Sequence, residues 1–518
     1  MNDQAIPVEG SIGIRGPALR ISGVTKRFGT LVANEDVSFT LNAGQVVALL
    51  GENGAGKTTL MNILFGHYVA DSGHIEVNGA SLASGSPQAA LRAGIGMVHQ
   101  HFALANNLTV AENIIIGTEP LFLPWHRPKA KDRILEIAQR YGLAVDPDAL
   151  VRDISVGERQ RVEIVKALYR NVRILVMDEP TAVLTPQEAE GLFATLRNLV
   201  TNGVAVIFIS HKLREVMSVA DKIVVMRQGK VVAERFVSET SREELAELMV
   251  GRKVVFPDRK PTSVGDPVLR LDGIVLRQAG NRPKILDGVN LEVRQHEILG
   301  VAGISGNGQA ALADIACGVL VPSEGLIHLS GQPVQSNPSE FVKRGVARIP
   351  EDRHTTGLIP DMSVWENVVA ERYRSGDFAI AGLQRIGAAR KYAELVIDQF
   401  DVRGAAPNTS ARQLSGGNMQ KLILGRSLLQ NPVMIIATQP TRGLDIGAVA
   451  YVHRKLLEAR DRGAGVLLIS EDLDELFSLS DRIAVMFRGT LSNPMRTEEV
   501  SLKELGLKMA GQSSTRGR

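Results

Sequence analysis

The chain has one cysteine in 518 residues, two tryptophans, and aromatic residues at only 4%. A single thiol, Cys317, rules out a disulfide framework, a cysteine-rich zinc module and an iron–sulfur ligand set, and it fits a reducing compartment. Charge of one sign is equally scarce: 59 Lys and Arg against 56 Asp and Glu leave a net +3. That balance lacks the basic footprint of a nucleic-acid binder, so no nucleic-acid partner is expected. No apolar run approaches the roughly 20 residues needed to span a bilayer. Residues 1–16 lack an apolar stretch of signal-peptide length and are expected to form a loose tail, as are residues 513–518. If such a protein works at a membrane, another component must hold it there.

What the chain has is length and repetition. Its size exceeds what one core accommodates, so at least two domains are expected. Leu108-Thr109-Val110-Ala111-Glu112-Asn113 is echoed by Met362-Ser363-Val364-Trp365-Glu366-Asn367, and Asp221-Lys222-Ile223-Val224-Val225-Met226 by Asp481-Arg482-Ile483-Ala484-Val485-Met486. A repeat this long is a tandem duplication of whole domains. The pattern predicts one domain over 17–251 and another over 267–512. Between them, residues 252–266 are rich in charge and Pro without apolar periodicity, which predicts a short linker. Apolar runs such as Val46–Leu50 and Val204–Ile209 predict strands of a sheet covered on both faces. The helical patterning of about 101–172 predicts an insert on that α/β core.

The copies differ where chemistry would occur. Gly51-Glu52-Asn53-Gly54-Ala55-Gly56-Lys57-Thr58 follows an apolar strand. Its glycines let backbone N–H groups turn inward around phosphate oxygens, Lys57 neutralises charge, and Thr58 can reach Mg²⁺. The matching stretch, Gly303-Ile304-Ser305-Gly306-Asn307-Gly308-Gln309-Ala310, has Gln for the Lys and Ala for the Thr. Asp178 and Glu179 end another strand, where one carboxylate can hold the metal shell and the other orient or deprotonate a water. Their counterparts are Thr438 and Gln439. His211 could read a γ-phosphate, although a lone histidine there is more often structural; its counterpart is Glu471. Ser155-Val156-Gly157-Glu158 and Leu414-Ser415-Gly416-Gly417-Asn418 each precede an amphipathic helix, where they can face an anion or simply cap the helix.

This order of motifs, with Gln100 between phosphate loop and signature, resembles the ATP-binding-cassette ATPases over nearly the whole chain, twice. The resemblance implies an α/β fold of two tandem P-loop NTPase domains, each a RecA-like core with an antiparallel β subdomain and a helical insert. It implies that Phe28 stacks on adenine, and that Gly51, Asn53, Gly54, Ala55, Gly56, Lys57, Thr58 and Thr59 surround ATP. Thr58, Gln100 and Asp178 would attend Mg²⁺, and Glu179, His211 and Gln100 would serve catalysis. Cassettes of this family pair head to tail, so each ATP would lie between one phosphate loop and the opposite signature. Ser415, Gly416, Gly417 and Asn418, with Asp445, would then complete the intact site. Ser155, with Val156 in place of a glycine, and Thr185 would face the degenerate set Gly303, Gly308, Gln309, Ala310, Thr438, Gln439 and Glu471. No aromatic lies between Phe256 and Phe341, so the second copy lacks a Phe28. One competent composite ATP site is expected.

A tandem chain with a degraded second cassette looks like the ATPases that power import of simple sugars and nucleosides. Ala437–Asp445 is most similar to the nucleoside branch associated with basic-membrane-type lipoprotein receptors, since the sugar branch tends to keep an Asp-Glu pair in its second cassette. The resemblance implies ATP and Mg²⁺ as cofactors and two integral-membrane permease subunits as partners. It also implies an extracytoplasmic solute-binding protein or lipoprotein acting indirectly, and a peripheral place on the cytoplasmic face of the inner membrane. Coupling would run through His101-Phe102-Ala103-Leu104 and Glu351-Asp352-Arg353, unless the latter is only a solvated charged loop. A simple-sugar importer is the alternative within this class. Ribosome-associated tandem-cassette translation factors are the rival from another, but they usually keep both catalytic glutamates and a long charged helical linker.

Overall fold

The computed structural model describes residues 16–99, 102–118, 127–181, 184, 186–210, 212–278, 283–509 and 511. The chain divides after Val254 into two compact units.

In the first unit, a six-stranded sheet runs in the order Lys230–Phe236, Lys222–Arg227, Val46–Gly51, Ala205–Ile209, Ile174–Asp178 and Ile95–Val98. Val46–Gly51 and Ala205–Ile209 are buried at every position, as expected of central parallel strands with both faces covered. All neighbours pair parallel except the antiparallel edge strand Lys230–Phe236. Parallel register matters for the site: Leu49 and Asp178 both lie opposite Ile209, so the phosphate loop and the carboxylates leave the sheet at the same end. Ligands of open α/β sheets bind in the crevice beyond that end. A second, antiparallel sheet joins Leu31–Leu41, Leu19–Phe28, Ser72–Val77 and Ala80–Ser81. Its inner face shares a core with the six-stranded sheet through Leu19, Ile21, Phe39, Val47, Leu49 and Leu60. Helices Val110–Ile115, Arg127–Tyr141 and Val156–Tyr169 form the insert.

The second unit repeats this plan. Its parallel strands Val346–Ile349, Met434–Thr438, Gly465–Ser470, Ile298–Ala302 and Arg482–Phe487 follow the same order, and its antiparallel sheet is built from Pro267–Leu276, Leu286–Arg294, Glu324–Leu329 and Gln332–Val334. Helices Val364–Val369, Ile386–Gln399 and Gly416–Leu428 match the insert.

The stretch expected as a plain linker, 252–266, is only partly one. From Val255 onward it belongs to the second unit and is fastened there by charge. Arg259 pairs with Asp481 at 3.0 Å and with Glu498. The fully buried Arg460 donates to the Lys260 carbonyl at 2.9 Å and also reaches Asp481 at 3.2 Å. Apolar periodicity could not reveal this strap because ion pairs and carbonyl contacts hold it.

Candidate functional site

In the first unit the buried strand Val46–Gly51 runs straight into the loop and then into helix Lys57–Leu64. Gly51 and Gly56 are required by space. A Cβ at Gly51 would strike the Met226 carbonyl at 2.5 Å, and Gly56 sits at φ 96° against the Ala33 carbonyl and Asn34. At Gly54, with φ +83°, nothing lies within 4 Å of a Cβ, so the mouth of the loop is open. Asn34, fully buried, donates to the Gly56 carbonyl at 3.1 Å and pins the turn from below.

Lys57 is buried, and its ammonium donates to the carbonyls of Gly51 at 2.6 Å and Glu52 at 3.0 Å. Burial pulls its pKa down, while the nearby charges of Glu179, Asp178 and Glu52 push it up. Asp178 is held above the ordinary carboxylate range, first by burial and then by the adjacent Glu179 charge; Lys57 and His99 act in the opposite direction. Phosphate loop and carboxylate pair therefore share one electrostatic neighbourhood. Two half-buried carboxylates beside one lysine form a place where a hard cation is favoured. Thr58 is exposed at the start of the helix and Thr59 half-buried behind it, while Asn53 is exposed on the loop. Glu179 occupies the left-handed region at φ 45°, uncommon for a side-chain-bearing residue and worth about 1–3 kcal/mol of strain. Its N–H donates to the Ile209 carbonyl at 2.9 Å, which fixes the turn.

Phe28 ends its strand 43% exposed. Sequence reasoning missed its setting: the Tyr68 ring stands edge-on at 5.4 Å, and the Lys26 ammonium lies 5.4 Å from the Phe28 centroid. A half-exposed aromatic backed by a second ring makes a stacking platform. Gln100, His211 and Thr185 lie outside the described residues, as does His101.

The two signatures differ in what occupies their helix N-termini. Ser155 and Glu158 form a reciprocal capping box, with the Ser155 N–H donating to the Glu158 carboxylate at 2.8 Å and the Glu158 N–H to the Ser155 hydroxyl at 3.3 Å. Those bonds hold the Glu158 carboxyl below its usual range. Ser415 makes no such cap to its helix. Its hydroxyl accepts from Asn418 at 3.0 Å, whose own carboxamide oxygen accepts from the Arg403 N–H. The exposed Ser415 and half-buried Gly416 and Gly417 thus begin a helix with no carboxylate in its first turn. Asp445 caps the following helix through the Ala448 N–H at 2.7 Å.

In the second unit Gly308 keeps the left-handed backbone, φ 112°, and Gln439 keeps that of Glu179, φ 46°. The chemistry has gone. Gln309 is buried and folded over its own loop, with its carboxamide donating to the Ile304 carbonyl at 2.8 Å and accepting from the Asn307 N–H at 3.1 Å. The same carboxamide nitrogen lies 2.4 Å from where a Cβ on Gly303 would stand, so it packs directly over the strand end. Ala310 is exposed at the helix start, Thr438 is buried at the strand end, and Gln439 accepts from the Glu471 N–H at 3.3 Å. Beside the loop is a cavity of about 550 Å³ lined by Ala310, Asp314, Arg348, Glu351, Thr438 and Arg442, among others.

In the segment Glu351–Arg353, expected to be either a coupling surface or a solvated loop, Glu351 and Asp352 are exposed and Arg353 is half-buried, and all three also bond within their unit. Glu351 pairs with Arg442. Asp352 caps the turn Arg353–Gly357 through the N–H groups of His354 and Thr355. Arg353 donates to the Arg442 carbonyl at 2.9 Å and to that of Gly443 at 3.4 Å.

The sequence profile of the ABC transporter family matches residues 34–182 and again 286–442. The chain belongs to that family. Its cassettes resemble, over nearly their whole joint length, a nucleoside import ATP-binding protein of Lactococcus lactis subsp. cremoris at 44% identity, covering 95% of this chain and 98% of the relative. A guanosine import ATP-binding protein of Bacillus subtilis is also 44% identical, covering 96% and 98%. A glucose import ATP-binding protein of Haloferax volcanii is 42% identical over 96% of each chain. Among the described residues of the cassettes no helix is long and apolar enough to cross a membrane.

Proposed function

We propose that the chain is the ATP-hydrolysing subunit of an importer. It would drive uptake of a small polar solute, a nucleoside in first place, through two separate integral-membrane permease subunits. It would sit on the cytoplasmic face of the inner membrane, with an extracytoplasmic solute-binding protein or lipoprotein delivering the solute. The observation that carries this reading is the meeting of Lys57, Asp178 and Glu179 in the first cassette, each altering the protonation of its neighbours, set against Gln309, Thr438 and Gln439 in the second.

In this reading Phe28 stacks on adenine, and the loop from Gly51 to Thr59 holds the phosphates, with Lys57 turning from its loop carbonyls to the anion. Thr58 and Asp178, with Gln100, would hold Mg²⁺, which supplies charge neutralisation at the phosphates. Glu179 accepts the proton of the attacking water, and His211 contacts the γ-phosphate. Ser415, Gly416, Gly417 and Asn418 are the signature proposed to contact ATP, since their helix start is free of the carboxylate that Glu158 places on the other signature. One ATP is hydrolysed per cycle.

The nucleoside assignment rests on two relatives that carry nucleoside or guanosine import names and on the loss of both acidic residues at Thr438 and Gln439. A simple sugar is the second reading, supported by the glucose import relative at nearly the same identity. The test has two parts. Co-purification with the permeases, followed by a thermal-shift screen of the cognate receptor, should show stabilisation by nucleosides; stabilisation by pentoses or hexoses alone would transfer the assignment to sugars. Radiolabelled ATP turnover in Glu179→Gln protein should fall to background, and retained turnover would overturn the ATPase assignment.

A further inference from the structure

Gln309 does more than fail to be a lysine. Lysine can only donate: in the first loop Lys57 donates to the Gly51 and Glu52 carbonyls, and the Ala55 N–H turns to the Glu52 carbonyl at 3.1 Å. A carboxamide carries donor and acceptor together. In the second cassette the Gln309 oxygen takes the Asn307 N–H and its nitrogen satisfies the Ile304 carbonyl. Asn307 adds to the closure. Its side chain donates to the same Ile304 carbonyl at 3.0 Å and accepts from the Arg488 N–H at 2.9 Å. In the first cassette the matching residue is Ala55, which has no side chain to contribute such bonds.

The arginines of the neighbouring cavity also make bonds within their own unit. Arg348 is paired with Asp314 at 2.6 Å, Arg442 with Glu351, and Arg353 with two carbonyls.

We infer that the second phosphate loop is a self-liganded structure, in which the Gln309 carboxamide occupies the place of a phosphate, so that the second cassette binds no nucleotide. The loop is ordered by its own side chains and needs no ligand to hold its turn. This goes beyond the loss of hydrolysis, because a site that merely lacks its base would still hold ATP.

The test is a count. Equilibrium dialysis of Mg²⁺ and radiolabelled ATP against the full chain, in a Glu179→Gln background to stop turnover, should give one ATP per chain, and Lys57→Ala should weaken its binding about 10- to 100-fold. Gln309→Lys should raise the count to two, and Gln309→Ala, which empties the loop without overfilling it, should admit a second ATP at lower affinity. Melting curves of each variant confirm that the chain is folded. Two ATP per chain with Gln309 in place, or one ATP held with undiminished affinity in Lys57→Ala, would overturn the inference. A count unchanged in both folded Gln309 variants would do the same.

Discussion

In the first cassette Glu179 sits at φ 45° after Asp178 and within reach of the Lys57 charge; in the second, Gln439 sits at φ 46° after Thr438, and the uncharged Gln309 stands where the lysine would be. The strained backbone has outlived the chemistry it suits. What maintains it is the sheet: each residue donates its N–H to the neighbouring strand, Glu179 to Ile209 at 2.9 Å and Gln439 to Ile469 at 2.8 Å. The comparison separates two layers of design. Backbone geometry at the ends of these strands is fixed by sheet register and core packing, whereas competence is fixed by a handful of side chains that the fold does not require.

The largest expected effect tests that separation directly. Glu179→Gln should lower phosphate release by about 10²–10⁴-fold, the range for removing a general base, while the mirror change Gln439→Glu should alter it by less than about twofold, because Thr438 still offers the metal no carboxylate and Ala310 no hydroxyl. A large gain in Gln439→Glu would show that the copies are closer in competence than their side chains suggest. Next in size, Lys57→Ala removes a charge-assisted contact worth about 1.5–3 kcal/mol, so ATP affinity should fall about 10- to 100-fold by equilibrium binding. Phe28→Ala should then raise KM for ATP about tenfold with turnover number little changed, since base–aromatic stacking is worth about 1–3 kcal/mol.

The smallest effects sharpen the contrast between signatures. Ser155→Ala should lower the melting temperature by a few degrees, the consequence of losing a cap worth about 1 kcal/mol, and leave turnover intact. Ser415→Ala should do the reverse. The capping box also predicts a pH signature. Because Ser155 holds the Glu158 carboxyl below its usual range, the box stabilises fully above the ordinary glutamate pKa of about 4.3 and loses that contribution as pH falls through the lower folded value. The difference in melting temperature between the wild-type protein and Glu158→Gln should therefore shrink as pH drops below about 4.

Much of this was legible in the chain itself. Uninterrupted apolar runs announced the parallel strands, the glycine spacing announced the phosphate loop, and the duplicated motifs announced two copies of one fold. The Ser155-to-Glu158 spacing is also a readable capping signal, but the same serine resembles an anion contact, and only the bonded geometry shows which partner it takes. Other features had no local signature. Tyr68 lies far along the sequence from Phe28, the Arg259 strap depends on Asp481 and Glu498 more than 200 residues away, and the Gln309 closure is a matter of side-chain direction. These are tertiary hydrogen bonds and ring contacts, which leave no periodicity to detect.

The left-handed residue that ends the Met434–Thr438 strand also matters to anyone wishing to make this protein hardier. Glycine accepts that backbone angle without penalty, and in the second cassette no proton transfer depends on the side chain being replaced. Gln439→Gly forfeits only the weak acceptor for the Glu471 N–H, so relief of the twist should appear as a longer-lived preparation at elevated temperature. The same exchange at Glu179 would relax the chain equally and silence the enzyme, which leaves the spent half of the molecule as the place where ruggedness can be bred without sacrificing work.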